Sequence, residues 1–395
     1  MKNKGIITAL ILILIAVMTA DGFIISNKIS GGAEPVITEN QTVTVSETQA
    51  APTEPSYDEV SLVAVGDNLI HDTLIAAGEQ KDGSRDYSAF YEHIEEDVKA
   101  ADMAIVNQET ILGGDVAAYT GYPLFNSPQE IGDAAVNAGF DIFTCATNHS
   151  MDVGVRGIES ELNYFNEKYP GIVHLGLNAD EEEYNTITYY ECNNIKFALL
   201  NYTYGTNGIP LPESKPWIVN LLDKEKVTAD LKEARANADV VIVFPHWGTE
   251  YSTSVSDYQK DYTSLFLENG VDIVIGCHPH VIEPVRKFVN ENSGREMVVF
   301  YSLGNFISHQ HDLADMLGGM AKITVKKEND AITITSAKIV PLVTYYKRVD
   351  SGYYFTTYKL SDYTDALAST HRYDYATPEK FRSLYEEIID EEFRE

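Results

Sequence analysis

The sequence predicts an α/β fold. Two observations carry it: from Val60 onward short apolar runs each end in a polar cluster, and stretches of helical periodicity with acidic outer faces separate those runs. After Gly319 the pattern turns to alternation with period two over 321–325 and 332–339, which suits the edge of a second sheet. The strand runs are 62–65, 103–106, 142–145, 172–175, 197–200, 240–244, 273–275 and 297–301. Helices are expected over 89–100, 128–138, 154–168, 224–237 and 256–269. A last amphipathic helix opens at Thr377-Pro378, an N-cap followed by a first-turn proline, with Phe381, Leu384, Tyr385, Ile388 and Phe393 along one face to pack on the core.

The first 58 residues have a different texture. Lys2 and Lys4 precede an apolar run from Ile6 to Ala20, then Asp21 and a second short run to Ile25. Residues 1–26 therefore read as a membrane anchor that holds the domain outside the cell in a single pass, with a cleaved signal and a secreted product as the alternative. No cysteine follows the run, which excludes a lipoprotein anchor. Residues 31–58 contain five Thr, three Pro and four Glu without a single Lys or Arg, so 27–58 is expected to be a disordered extracellular linker. A main domain over 59–345 and a C-terminal extension over 346–395 complete the organisation.

Composition excludes further classes. Against 29 Lys plus Arg stand 60 Asp plus Glu, a formal net charge of -31 that repels the phosphate backbone and argues against a nucleic-acid partner. Three widely spaced cysteines, Cys145, Cys192 and Cys277, form neither a disulfide framework nor a zinc knuckle, and Cys145 and Cys277 are expected to be free thiols.

In open α/β sheets ligands bind beyond the carboxyl ends of the strands. Here those ends read Gly66-Asp67-Asn68, Asn107-Gln108-Glu109, Thr147-Asn148-His149, His246-Trp247-Gly248 and His278-Pro279-His280. Five strand ends thus deliver carboxylate, amide and imidazole groups, a mixture that suits Zn, Mn or Fe and is large enough for two ions sharing a bridge. His278-Pro279-His280, taken as extended, would aim two imidazoles at one site. Asp67 and Glu109 supply the counter-charge two adjacent cations need.

The same blocks, with Asp152 and Gly154 after His149, Thr249-Glu250-Tyr251 after Gly248, and Ser302-Leu303-Gly304-Asn305-Phe306, resemble in order and spacing the CapA family of poly-γ-glutamate capsule synthesis proteins. The resemblance covers about 60–345 and implies a four-layered metallophosphoesterase-like sandwich of two mixed sheets flanked by helices. It also implies roles. Asp67 and His280 would bind a first divalent ion, Asn148, His246 and His278 a second, and Glu109 would bridge them; His149 would protonate or stabilise the leaving oxygen as the catalytic residue. His71, Asn107 and Asn305 are further candidates. The Asp-x-His of the wider metallophosphoesterase superfamily is Asp67-Asn68-Leu69 here, so the first ion lacks one ligand unless His71 replaces it. The implied partners are the capsule polymer or another cell-envelope substrate, the membrane, and membrane-bound capsule synthesis proteins. A non-catalytic accessory role is the alternative.

His309-Gln310-His311-Asp312 with Asp315 is expected to be a solvated rim loop, and His93, His174 and His371 to be structural. The 25 tyrosines suggest no stacking platform.

Overall fold

The first strand, β1 (Asp58–Asn68), is buried on both faces from Leu62 onward, which is why its sequence is a continuous apolar run rather than an alternation. It begins the part of the chain that the computed structural model describes, residues 58–395. The expected anchor or signal and the linker up to residue 57 lie outside the described residues. Among the described residues no helix is long and apolar enough to cross a membrane.

Parallel neighbours follow β1 at β2 (Met103–Asn107), β3 (Ile142–Thr144) and β4 (Val173–Leu175). A second group comprises β5 (Thr188–Cys192), β6 (Ile195–Thr203), β7 (Val240–His246), β8 (Ile273–Ile275), β9 (Val285–Val289) and β10 (Glu296–Phe300). Then come β11 (Asn305–Ile307), β12 (Leu317–Glu328), β13 (Ala331–Val349) and β14 (Gly352–Lys359). The first sheet runs β14-β13-β12-β1-β2-β3-β4, with β11 also paired to β1; the second runs β5-β6-β7-β8-β10-β9. Both are mixed: the first is antiparallel from β14 to β1 and parallel from β1 to β4, and the second has a parallel centre with antiparallel margins.

Two expectations change here. Residues 321–325 and 332–339 do not edge a second sheet: β12 lies antiparallel against β1, Leu62 opposite Ile323, and β13 continues outward in the same first sheet. Alternation shows that a strand has an inner and an outer face, not which strand it pairs with. The boundary between 345 and 346 falls inside β13, and β14 extends the sheet, so 346–359 is sheet rather than extension.

Side-chain alternation on β6 shows the layering. Phe197 and Leu199 join the cluster shared with the first sheet, whereas Ala198, Leu200 and Tyr202 pack with Val227, Leu231, Tyr262 and Phe266 of the helices Lys224–Asn237 and Asp257–Glu268. On the first sheet the helices Glu130–Ala138 and Gly154–Lys168 bury Ile131, Ala135, Ile158, Leu162 and Phe165. The result is two mixed sheets flanked by helices. A buried amide ties the sheets together: Asn201 Oδ1 accepts from the N–H groups of Cys145 and Ala146 at 3.0 and 2.7 Å, and its Nδ2 donates to Phe244 O at 2.7 Å. This fixes the loop after β3 against β7.

The helix Pro378–Ile388 has the expected cap, Thr377 accepting from Lys380 N–H, and buries Phe381, Tyr385 and Ile388. Phe393 is also buried but sits in a separate 3-10 turn, Glu391–Phe393. Phe381 meets Tyr363 edge-on at 5.8 Å, and Tyr385 donates to Ile339 O, so this segment seals the core. Phe381→Ala should cost about 3–5 kcal/mol in urea unfolding; a loss below about 1 kcal/mol would mean that the helix is peripheral.

Candidate metal centre

Gly66 makes the close approach that places the first carboxylate. A Cβ there would lie 1.8 Å from Gly304 O, so only glycine lets the chain before β11 press against β1. The pairing of β1 and β2 slips at this point, and Asp67 lands opposite Asn107. Glu109 follows two residues beyond β2, and Asn148 and His149 occupy the turn after β3. From the second sheet come His246, the last residue of β7, and His278 and His280 after β8. Every one of these side chains is buried.

The His-Pro-His segment is not extended. His278 and His280 have φ of 101° and 61°, left-handed values that non-glycine residues adopt reluctantly and that concentrate at functional sites. Their rings stand 6.0 Å apart and turn toward different neighbours. Glu109, His246 and His278 bring donor atoms within 4.8 Å of one another, and so do Asp67, Glu109 and His280. Glu109 belongs to both triads.

Hydrogen bonds account for most of the surrounding polar atoms. Asn107 Nδ2 donates to Asp67 Oδ1 at 2.8 Å while its own carbonyl accepts from Thr144 Oγ1, so Asn107 steadies Asp67. His280 Nδ1 lies 3.1 Å from Asp67 Oδ2 and 3.2 Å from Asn305 Oδ1. Asn148 Oδ1 is 2.8 Å from His246 Nε2. The exceptions are telling: both carboxylate oxygens of Glu109, His246 Nδ1 and His278 Nδ1 are buried without a hydrogen-bond partner. His246 Nε2 and His280 Nδ1 approach Glu109 only to 3.6 and 3.7 Å. A buried carboxylate with both oxygens unpaired is costly unless a cation completes it. The donor types and their geometry fit divalent metal binding.

The electrostatics show what balances the charge when a proton must stand in for a cation. Burial and the neighbouring Glu109 push Asp67 above its usual value. Burial pushes Glu109 the same way, but the imidazoles of His280 and His246 outweigh it and hold that carboxyl low. Burial lowers His280, yet Glu109 and Asp67 outweigh it and push the imidazole up to about 9. Burial, with the neighbouring imidazoles of His246 and His280, drives His278 well below its usual value against the opposing pull of Glu109. At pH 7 the metal-free centre therefore carries a proton on His280, which ligation must displace. Metal uptake at pH 7 should release protons, and apparent affinity should climb with pH up to about 9. Calorimetry in two buffers of different protonation heat checks this; identical heats would remove His280 from the ligands.

His149 is set apart from the triads. Its Nδ1 faces Asp152 Oδ2 at 2.6 Å, its ring meets Phe125 edge-on at 4.6 Å, and Nε2 has no partner among the described residues. Asp152 also accepts from Phe125 N–H at 2.8 Å, so the acceptor is itself held in place. Burial lowers the His149 pKa, but Asp152 and Glu109 outweigh it and raise it. His149 is thus a protonatable group fixed at the edge of the centre.

His71 joins neither triad. It stands at the N-cap of the helix Asp72–Ala77 without a side-chain cap bond, its Nδ1 lies 3.2 Å from Leu69 O and 3.3 Å from His309 N, and burial drops its pKa to about 4. Leu69, two residues past Asp67, is buried. Asn305 steadies the His280 turn by donating to His280 O and Asp315 O. Cys145 and Cys277 are free, and His174 is no isolated residue: it pairs with Glu161 at 2.9 Å near Cys145. Sequence reasoning left Asp152 without a role, although its place three residues after His149 in a turn is a readable signal. It also left out Tyr204, whose ring lies 4.6 Å from that of His278; Gln310, in the stretch expected to be a solvated rim loop, is half-buried and accepts from Asn305 at 2.7 Å.

A family model described as bacterial capsule synthesis protein PGA_cap matches residues 61–310, more than half of the chain and every residue of the two triads. The chain belongs to this capsule synthesis family. Among curated relatives, the PGA biosynthesis protein CapA of Bacillus subtilis is 33% identical over 172 residues, 43% of each chain. The capsule biosynthesis protein CapA of Bacillus anthracis is 27% identical over 190 residues, 47% of this chain and 44% of that one. Each match spans less than half of the relative's length. Solved structures similar to this PGA_cap member include a calcineurin-like phosphoesterase of Bacillus subtilis, with 13% identity and a TM-score of 0.41 over 83% of this chain and 100% of that one. The NAD nucleotidase of Haemophilus influenzae has 13% identity and a TM-score of 0.45 over 84% and 67%.

Proposed function

We propose that this chain is a metal-dependent hydrolase of the bacterial cell envelope, acting in the synthesis, export or processing of poly-γ-glutamate or a related capsule polymer. In this reading the N-terminal segment holds it at the membrane with the domain outside the cell, beside membrane-bound capsule synthesis partners. The observation that carries the reading is Glu109, buried with both oxygens unpaired between two histidine-bearing triads. Asp67, Glu109 and His280 would hold one divalent ion, and Glu109, His246, His278 and Asn148 the other, with Mn, Zn or Fe suited to the donors. Such ions supply Lewis acidity, activating a water and neutralising charge on the group attacked. The chain's own part is positional: Asp152 orients His149, which hands a proton to the leaving oxygen.

One observation favours the accessory reading, in which the site is vestigial: Leu69 stands where the wider metallophosphoesterase pattern has a ligand, and His71 joins neither triad. Charge does not favour polyanion binding on the best basic pair. Arg286 is tied to Asp390 at 2.7 Å, and Lys287 lies over Phe393 at 6.0 Å. Elemental analysis of the purified chain followed by a broad hydrolase screen tests the proposal. Bound metal with turnover supports it; metal without turnover on any phosphoester, amide or peptide, and full capsule rescue by a Glu109→Gln chain, would leave the accessory role.

A further inference from the structure

The mouth of the centre is lined by aromatic side chains that face solvent. Tyr122, Leu124, Tyr204 and Tyr251 are 76, 52, 41 and 57% exposed, and they are four of the seven large apolar side chains so exposed among the described residues. The three tyrosines reach the site or its neighbours through ring contacts. Tyr204 packs on His278 at 4.6 Å and Tyr251 on His280 at 5.8 Å; Tyr122 leans on Phe125, which packs on His149. Leu124 precedes Phe125.

These rings are held, not loose. Tyr251 sits at φ 64°, a strained setting for a bulky residue, kept there by its N–H donating to Pro279 O at 2.8 Å. Its hydroxyl accepts from Gln310 Nε2 at 3.1 Å, and Gln310 is bonded in turn to Asn305 beside His280. The Tyr204 hydroxyl donates to Asn207 Oδ1, which also accepts from Asn148. The hydrogen bonds of this collar run to amides and backbone rather than to Lys or Arg, and Glu250 adjoins Tyr251. A polyanion would meet no cationic partner there, whereas the neutral face of a ring meets tyrosine faces well.

We infer that this collar sets specificity: the site takes a phosphoester whose alcohol carries a ring, the ring lying on Tyr204 and Tyr251 while the phosphoryl group reaches the buried triads. This rests on the hydrolase reading and narrows its substrate to a ring-bearing envelope phosphoester rather than the polyglutamate chain.

Four phosphonates of equal charge test it on the metal-loaded chain by calorimetry: methyl, n-hexyl, cyclohexyl and phenyl. The ring compounds should bind about fivefold tighter than both methyl and n-hexyl, the scale of a good aromatic contact. Tyr204→Ala and Tyr251→Ala should each erase most of that preference, whereas Tyr204→Phe and Tyr251→Phe, which keep the ring face, should retain it; metal content measured on each variant separates a lost ring contact from a lost ion. A stronger phenyl than cyclohexyl complex identifies a flat aromatic group, and the reverse a sugar-like one; either supports the inference. If methylphosphonate binds and the rings add nothing, or if n-hexyl equals them, the collar proposal is overturned while the hydrolase reading stands. If no phosphonate binds the metal-loaded chain, the collar proposal falls with its phosphoester, and the hydrolase reading is decided by the amide and peptide arms of the screen.

Discussion

Glu109→Gln is expected to abolish metal retention in both halves of the centre and to lower hydrolysis by about 1000-fold or more. Glutamine keeps the shape and burial of the side chain but removes the one charge that both triads share, leaving Asp67 as the sole carboxylate among the proposed ligands. Charge neutralisation by bound ions is worth several kcal/mol in the transition state, and about 1.36 kcal/mol corresponds to each tenfold in rate. The variant should still fold, since neither Glu109 oxygen makes a hydrogen bond that the substitution would break. Its melting temperature should also stop responding to added metal, whereas the unaltered chain gains about 2.7 kcal/mol at a 100-fold excess over Kd. Elemental analysis, turnover and melting curves give three separate readouts. Two retained equivalents of metal would refute the bridging role outright.

His149→Ala should behave differently, keeping the metal while lowering turnover by about 100-fold or more, the scale of a positioned proton donor. The imidazole belongs to neither triad, so its loss leaves the proposed ligands intact. The pH dependence carries a further check. Burial lowers the His149 pKa, but Asp152 and Glu109 together raise it above 6.5, so the acid form persists to higher pH than in a free imidazole. Activity that needs that proton is full below the raised pKa and falls as pH rises through it. Asp152→Asn removes the hydrogen-bonded carboxylate and should move the alkaline limb to lower pH with metal content unchanged. An unmoved limb would assign the proton to another group, and release of metal by His149→Ala would make His149 a ligand.

Much of the centre was legible because a parallel strand end is a place the sequence marks. Asp67, Glu109, Asn148, His246, His278 and His280 each follow an apolar run, and buried parallel strands write themselves as such runs. What the sequence did not mark was local geometry. His278-Pro279-His280 looked extended, yet both histidines take left-handed backbone, and the two rings serve different triads. His71 looked available as a ligand, but it joins neither triad, and its Nδ1 sits between Leu69 O and His309 N. Tyr204 and Tyr251 were two among 25 tyrosines, and nothing in their neighbours along the chain distinguishes a collar from packing.

Hydrophobic periodicity, turn chemistry and residue type, all of which act over a few residues, were enough to read the α/β class, most of the strands and helices, the capping of the last helix and the chemical types gathered at the strand ends. That β12 pairs with β1, that β13 and β14 belong to the same sheet, and that Glu109 stands between two triads drawn from both sheets came from the three-dimensional fold alone. Those are matters of which distant segments share a buried space. The chain records them in its summed packing, in contacts such as Asn201 to Cys145 and Gly66 to Gly304, rather than in any single stretch.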